Sequence, residues 1–222
     1  MDVSKQKKNI FITVSFIFLL GFIMILAVTI GPANVTLSQA ANIIGNKIPF
    51  INNITDISNI KSSQETIILQ VRLPRIILAA LTGMALAAVG TTFQGLLKNP
   101  MADPYIIGVS SGSALGASMA IVSGISIALG YFMVPLAAFI GALISIFTVY
   151  NIARVGNKIP VYNLLLSGVA LSSFLSAFTS LLMILNSNET SQILYWMLGS
   201  FSGKTWEHVN IAFPFISIGI LS

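Results

Sequence analysis

The 222-residue sequence contains no cysteine and a single histidine, His208. That excludes a disulfide framework, a thiolate metal site, a cysteine nucleophile and a His-cluster metal centre within the chain, so neither metal nor cofactor is expected. Charge is equally scarce, with 11 Lys and Arg and 6 Asp and Glu amounting to 8% of residues. A soluble domain carries about 25%. Hydrophobic residues make up 55%, and the mean hydropathy is +0.92. No charge falls between Lys8 and Lys47, Arg75 and Lys98, Asp103 and Arg154, or Lys158 and Glu189. Each gap holds one or two helices of the roughly 20 residues that cross a bilayer. The expected fold is therefore an all-α, polytopic membrane helical bundle. The net charge of +5 is scattered at span ends with no interleaved aromatic stripe, so the expected partner is the lipid bilayer and not nucleic acid.

The first apolar run, 9–30, follows Lys5, Lys7 and Lys8 and is longer than a signal-peptide core, which makes it an uncleaved span with a cytoplasmic N-terminus. Residues 31–66 carry Asn42, Asn46, Asn52, Asn53, Asp56, Asn59, Lys61 and Glu65, and read as an external loop with a short interfacial helix. A second span covers 73–97, with Pro74 at its start; Gly83, Ala87, Thr91 and Gly95 recur every four residues as a packing face. The turn 98–104 leads to a third span, 106–126, capped by Asp103, in which Gly108, Gly112 and Gly116 continue the packing period beside Ser110, Ser111 and Ser113. The serines read as helix packing too. A fourth span covers 133–153 and a fifth 161–185. Residues 186–208 are polar and aromatic, with Trp196 and Trp206 as interfacial belt residues, and 209–222 begins a sixth apolar run. That reading gives five complete spans and part of a sixth, in one transmembrane domain over 1–222 truncated at its C-terminus.

Arg72 and Arg75 stand out. They place two cations at the N-terminal end of a helix, where the macrodipole disfavours them, and they weaken the positive-inside signal to six cytoplasmic cations against five external. Such a feature invites a functional explanation. Gly203-Lys204-Thr205 resembles the end of a phosphate-binding loop, but only three residues separate Gly199 from Gly203 and no strand precedes them. Asp103, Glu189 and Glu207 form no catalytic pair, and no serine sits in a nucleophile elbow, so no catalytic residue is expected.

Several spaced blocks carry a resemblance: Arg72-Leu73-Pro74-Arg75, Gly83, Gln94-Gly95, Asn99-Pro100-Met101-Ala102-Asp103-Pro104, Gly108-Val109-Ser110-Ser111-Gly112, then 164–170 and 195–206. They resemble the FecCD-type permeases of ABC importers, which move iron-siderophore complexes, haem or cobalamin. The resemblance implies a ten-span permease subunit in the bacterial cytoplasmic membrane, paired with an identical or homologous second permease. It also implies two cytoplasmic ATP-binding subunits, on which ATP is hydrolysed, and an extracytoplasmic solute-binding protein.

In that family Arg72 and Arg75 match arginines at the external mouth that pair with acidic residues of the binding protein. Their spacing of three puts both on one helical face, although anchoring in headgroups is the plainer alternative. Asn99, Met101 and Val161 match positions near the cytoplasmic gate, where Asn99-Pro100 could equally be just a tight turn. Gln94 either lines the pathway or hydrogen-bonds a neighbouring helix. Two readings from other classes stand beside the importer: an ATP-independent secondary transporter or channel, and a truncated membrane subunit without transport. The first predicts ionisable residues at mid-span, and there are none.

Overall fold

The computed structural model describes residues 3–49, 53, 55, 56, 58, 60–125, 128, 130 and 132–221. Asn52 and Asn59 of the expected loop lie outside them. The chain is a polytopic helical membrane bundle; four of its helices, Gln6–Thr29, Ser62–Leu97, Met133–Ala153 and Val161–Leu185, are long and apolar enough to cross a bilayer. It divides into two compact units, one of residues 1–85 with 201–222 and one of residues 86–200.

The first unit opens with α1 (Val3–Thr29), whose side chains from Ile10 to Phe22 are largely exposed, as suits a helix surrounded by lipid. After the bend at Gly31 comes α2 (Leu37–Gly45), started by a capping box in which Thr36 accepts from Gln39 N and the Gln39 side chain accepts from Thr36 N. Then α3 (Ser62–Thr66), a π-helical segment (Ile67–Arg72) and α4 (Leu73–Leu97) run on as one helix. Buried Val28, Val35, Ala40, Ile43 and Ile68 form a small core that joins the end of α1 to α2 and the π-segment.

In the second unit, a 3₁₀ turn (Pro104–Ile107) precedes α5 (Val109–Val122), followed by α6 (Met133–Ala153), α7 (Val161–Leu185) and α8 (Thr190–Leu198). The helix α9 (Trp206–Leu221) returns to the first unit, packing Val209 against Leu78 and Leu81 of α4. The fourth and fifth spans take the bounds expected of them. The third does not. Expected over 106–126, it is confined to the 14 residues of α5, about 21 Å at 1.5 Å per residue and shorter than the roughly 30 Å hydrocarbon layer. Gly108, left-handed at φ 82, cuts it from the 3₁₀ turn, and Gly124, at φ 66, turns the chain away after its end. Residues 186–208, polar and aromatic in sequence, contain α8.

Many hydroxyls within the helices are satisfied locally, although Ser172 Oγ is buried without a partner among the described residues. Thr82, Thr92, Ser118, Thr148 and Ser173 each donate to the carbonyl four residues back, which removes the need for water at membrane depth.

Candidate functional site

In the second unit, the α4–α5 turn is built from its own polar groups. Asn99 N donates to Gln94 O at 3.2 Å and Lys98 N to Gly95 O at 3.3 Å, closing α4 with a Schellman pattern. Lys98 occupies the left-handed position of that cap, at φ 48, where glycine is usual. Asn99 Oδ1 then accepts from Met101 N at 2.9 Å, and Asp103 accepts from Tyr105 N at 2.9 Å to cap the 3₁₀ turn. A tight turn is thus present, and it leaves Met101 85% exposed at its tip. Val161, exposed, heads α7, whose Gly168 lies against the Ile106 carbonyl of the 3₁₀ turn. Gln94 is exposed on α4.

The glycine stripes separate into two kinds. A Cβ on Gly112 would collide with Gly141 O and Ser145 Oγ, one on Gly116 with Ala137 O, and one on Gly141 with Gly112 O. Backbone therefore meets backbone where α5 crosses α6, which is how helices gain contact in lipid without a hydrophobic driving force between them. Gly108 lies outside α5 and meets Ser172 of α7 instead. Around Gly83 and Gly95 a Cβ would find nothing within 4 Å, so the expected packing face of α4, to which Ala87 also belongs, has no such contact among the described residues.

Ser111 Oγ accepts from Ser176 Oγ of α7 at 3.4 Å, a contact between helices, and Ser110, Ser111 and Ser113, expected as helix packing, also line cavities. One, of ≈ 790 Å³, is walled by Leu86, Val89 and Phe93 of α4, Ser110 and Ser113 of α5, and Trp196 of α8. Asp103 supplies its only carboxylate. A smaller cavity of ≈ 170 Å³ is lined by Ser110, Ser111, Ser176, Thr179 and Ser180 with Met183 and Met197.

In the first unit, Arg72 is 8% exposed, and its guanidinium donates from Nη1 to Val28 O and from Nη2 to Ala33 O, both at 2.7 Å. Arg75, one turn on, is half-buried, and its Nε is buried without a hydrogen-bond partner. The ion pair among the described residues is elsewhere, between Lys47 and Glu65 at 3.1 Å.

Against known proteins, the sequence matches the FecCD transport family over residues 18–222. The chain belongs to that family. It is 43% identical over 160 residues to the cobalamin import system permease protein BtuC of Halobacterium salinarum, covering 72% of this chain and 42% of the relative. It is 38% identical over 165 residues to the Fe(3+)-citrate import system permease protein YfmE of Bacillus subtilis, covering 74% and 49%. A solved structure described as an inward-facing conformation of a metal-chelate type ABC transporter superposes with a TM-score of 0.69 at 28% identity, covering 88% of this chain and 55% of that one. The chain thus spans about half the length of the relatives it matches.

Two features of this FecCD chain escape sequence reasoning. The helix α8 hides in a polar stretch, yet Ile193 is 1% exposed in a core with Ala117, Ala120 and Ala138, against which Trp196 packs. The spacing of Ile193 and Trp196 by three was the available signal. Trp206, expected as a belt aromatic, is turned inward, its Nε1 donating to Leu69 O at 2.8 Å. That partner is more than a hundred residues away in sequence, and no local pattern announces it.

Proposed function

We propose that the chain is the permease subunit, through its first spans, of an ABC importer that carries a metal chelate inward across a bacterial cytoplasmic membrane. ATP hydrolysis on two cytoplasmic partner subunits drives the cycle, a second permease subunit completes the pathway, and an extracytoplasmic solute-binding protein delivers the cargo. The N-terminus faces the cytoplasm, so the turn at Asn99 and Met101, with Val161, belongs to the cytoplasmic gate, with Gln94 beside it. The Arg72–Arg75 end faces outward and docks the binding protein.

The observation that carries this reading is the ≈ 790 Å³ cavity, roomy, mainly apolar, and furnished with hydroxyls and one carboxylate at its end. A wall of this kind suits a large cargo handed onward and held weakly. A transporter coupled to ions needs charged side chains at mid-span, and the gaps around α4 to α7 contain none.

The test is uptake of iron chelates and cobalamin by the full assembly in proteoliposomes. Import should need ATP, and Met101→Trp should block it while ATP hydrolysis stays measurable. Uptake that persists without ATP, or is unchanged in the tryptophan variant, overturns the importer or the gate assignment respectively.

A further inference from the structure

We propose that Arg72 is a positioning residue that clamps the chain beneath the docking surface, and that Arg75 is the cation offered to the acidic partner. The second half of this statement rests on the docking reading above; the first does not.

The segment around Arg72 is wider than an α-helix. Over Ile67–Arg72 the backbone is π-helical, and Leu73 N donates to Ile68 O, five residues back. The next such donor would be Pro74, which has no N–H, so the carbonyl of Leu69 is left over. Trp206 Nε1 fills that vacancy at 2.8 Å, joining the start of α9 to the π-segment. On another side Ile68, 0% exposed, sits among Val28, Val35, Ala40 and Ile43.

Arg72 closes the remaining side. Val28 lies in the last turn of α1, where carbonyls lack helical partners and the macrodipole is negative. A guanidinium there is favoured twice, by hydrogen bonding and by the dipole. The dipole penalty expected at Arg72 does not arise, because the continuous helix begins at Ser62, ten residues earlier, and the dipole acts only near a helix end. Gly31 fits the same fork: its φ is 152, and a Cβ on it would come within 2.7 Å of Arg72 Nη2. With Nη1 and Nη2 committed to carbonyls and 8% of its surface open, Arg72 has little left for a partner. Arg75 meets no carboxylate among the described residues, and the Lys47–Glu65 pair leaves its charge unmatched.

The 222 residues contain no cysteine, so Val35→Cys, at a site 7% exposed in the small core, places a thiol whose labelling is read by mass spectrometry on the peptide that carries it. The full transporter carrying it, in nanodiscs, is probed with a maleimide and with the purified solute-binding protein of the same system. Arg72→Lys keeps the charge but loses the two-pronged reach, and should raise thiol labelling about tenfold and weaken docking as much as Arg72→Gln does. Gly31→Ala, which pushes the guanidinium aside while keeping Arg72, should do the same and serves if the Arg72 variants do not assemble. Arg75→Glu should abolish docking and leave labelling unchanged. Unchanged labelling in both Arg72→Lys and Gly31→Ala overturns the clamp, as does docking restored by lysine but not by glutamine. Docking that survives Arg75→Glu overturns its role and the docking reading, while the labelling result still decides the clamp.

Discussion

The two units solve the same problem by different means. Between helices in lipid there is no hydrophobic gain, and contact must come from close backbone approach or from hydrogen bonds. In residues 86–200 it comes from close approach, Gly112 and Gly116 of α5 against Gly141 and Ala137 of α6. In residues 1–85 and 201–222 it comes from side-chain donors reaching carbonyls that an irregular helix and a helix end leave open, Trp206 to Leu69 and Arg72 to Val28 and Ala33. The first device is steric and tolerates no added atom. The second is polar and tolerates change of shape but not loss of a donor.

The sharpest way to break this comparison is to add one methyl group in each place. Gly112→Ala drives a Cβ into Gly141 O and Ser145 Oγ and should cost about 3 kcal/mol, near the top of the overpacking range because backbone cannot step aside. Gly95→Ala meets open space and should leave the thermal midpoint of the detergent-solubilised protein within error or slightly higher. Equal losses at both sites would show that the stripe on α4 is packed after all and that the two kinds of glycine are one.

The second test removes a donor while keeping an aromatic ring. Trp206→Phe retains a ring beside Leu78 and Leu81 but leaves Leu69 O without its partner, a loss of about 1–2 kcal/mol by the usual cost of an orphaned buried acceptor. A matched Trp196→Phe in the other unit should cost less, since the packing of Trp196 against the core that contains Ile193 survives in part. If Trp196→Phe proves the more harmful, hydrogen bonding does not distinguish the units.

These tests bear on what was legible in the residues. Charge-free gaps bounded by Pro160 and Arg154 marked α6 and α7 to the residue, because membrane helices must satisfy every backbone group internally and so run from one polar turn to the next. The same logic overextended the third span, since Gly108 reads equally well as a packing residue and as a left-handed break, and the left-handed turn at Gly124 has no sequence signal beyond the glycine itself. The period of four in small residues is present on both α4 and α5, and among the described residues it is α5 whose stripe meets a facing glycine, Gly141 of α6. For Arg72 and Arg75, the sequence placed two cations at the start of a helix that in fact begins at Ser62, ten residues before Arg72. It could not show that the end of α1 supplies carbonyls for one of them, because that contact joins residues 44 apart.

The smallest effect belongs to the loop between α2 and α3, where the first unit again relies on a polar group to hold irregular backbone. Asp56 Oδ1 accepts from Ser58 Oγ at 2.6 Å and Ser58 N at 2.9 Å, and its carbonyl accepts from Asn42 Nδ2 of α2 at 3.1 Å. The Ser58 hydroxyl first, and its N–H second, hold the Asp56 carboxyl below its ordinary value of 3.8. Because the folded value is the lower one, the contribution is full above 3.8 and is lost as pH falls from there through the folded value. Hydrogen exchange at Ser58 N should therefore be slow at neutral pH relative to an Asp56→Ala variant, and should converge with it in acid. The site is fully exposed to solvent, so the global unfolding midpoint should not move. Protection at Ser58 that ignores pH would mean the carboxylate contributes nothing to the turn, and that the loop is held to α2 through Asn42 alone.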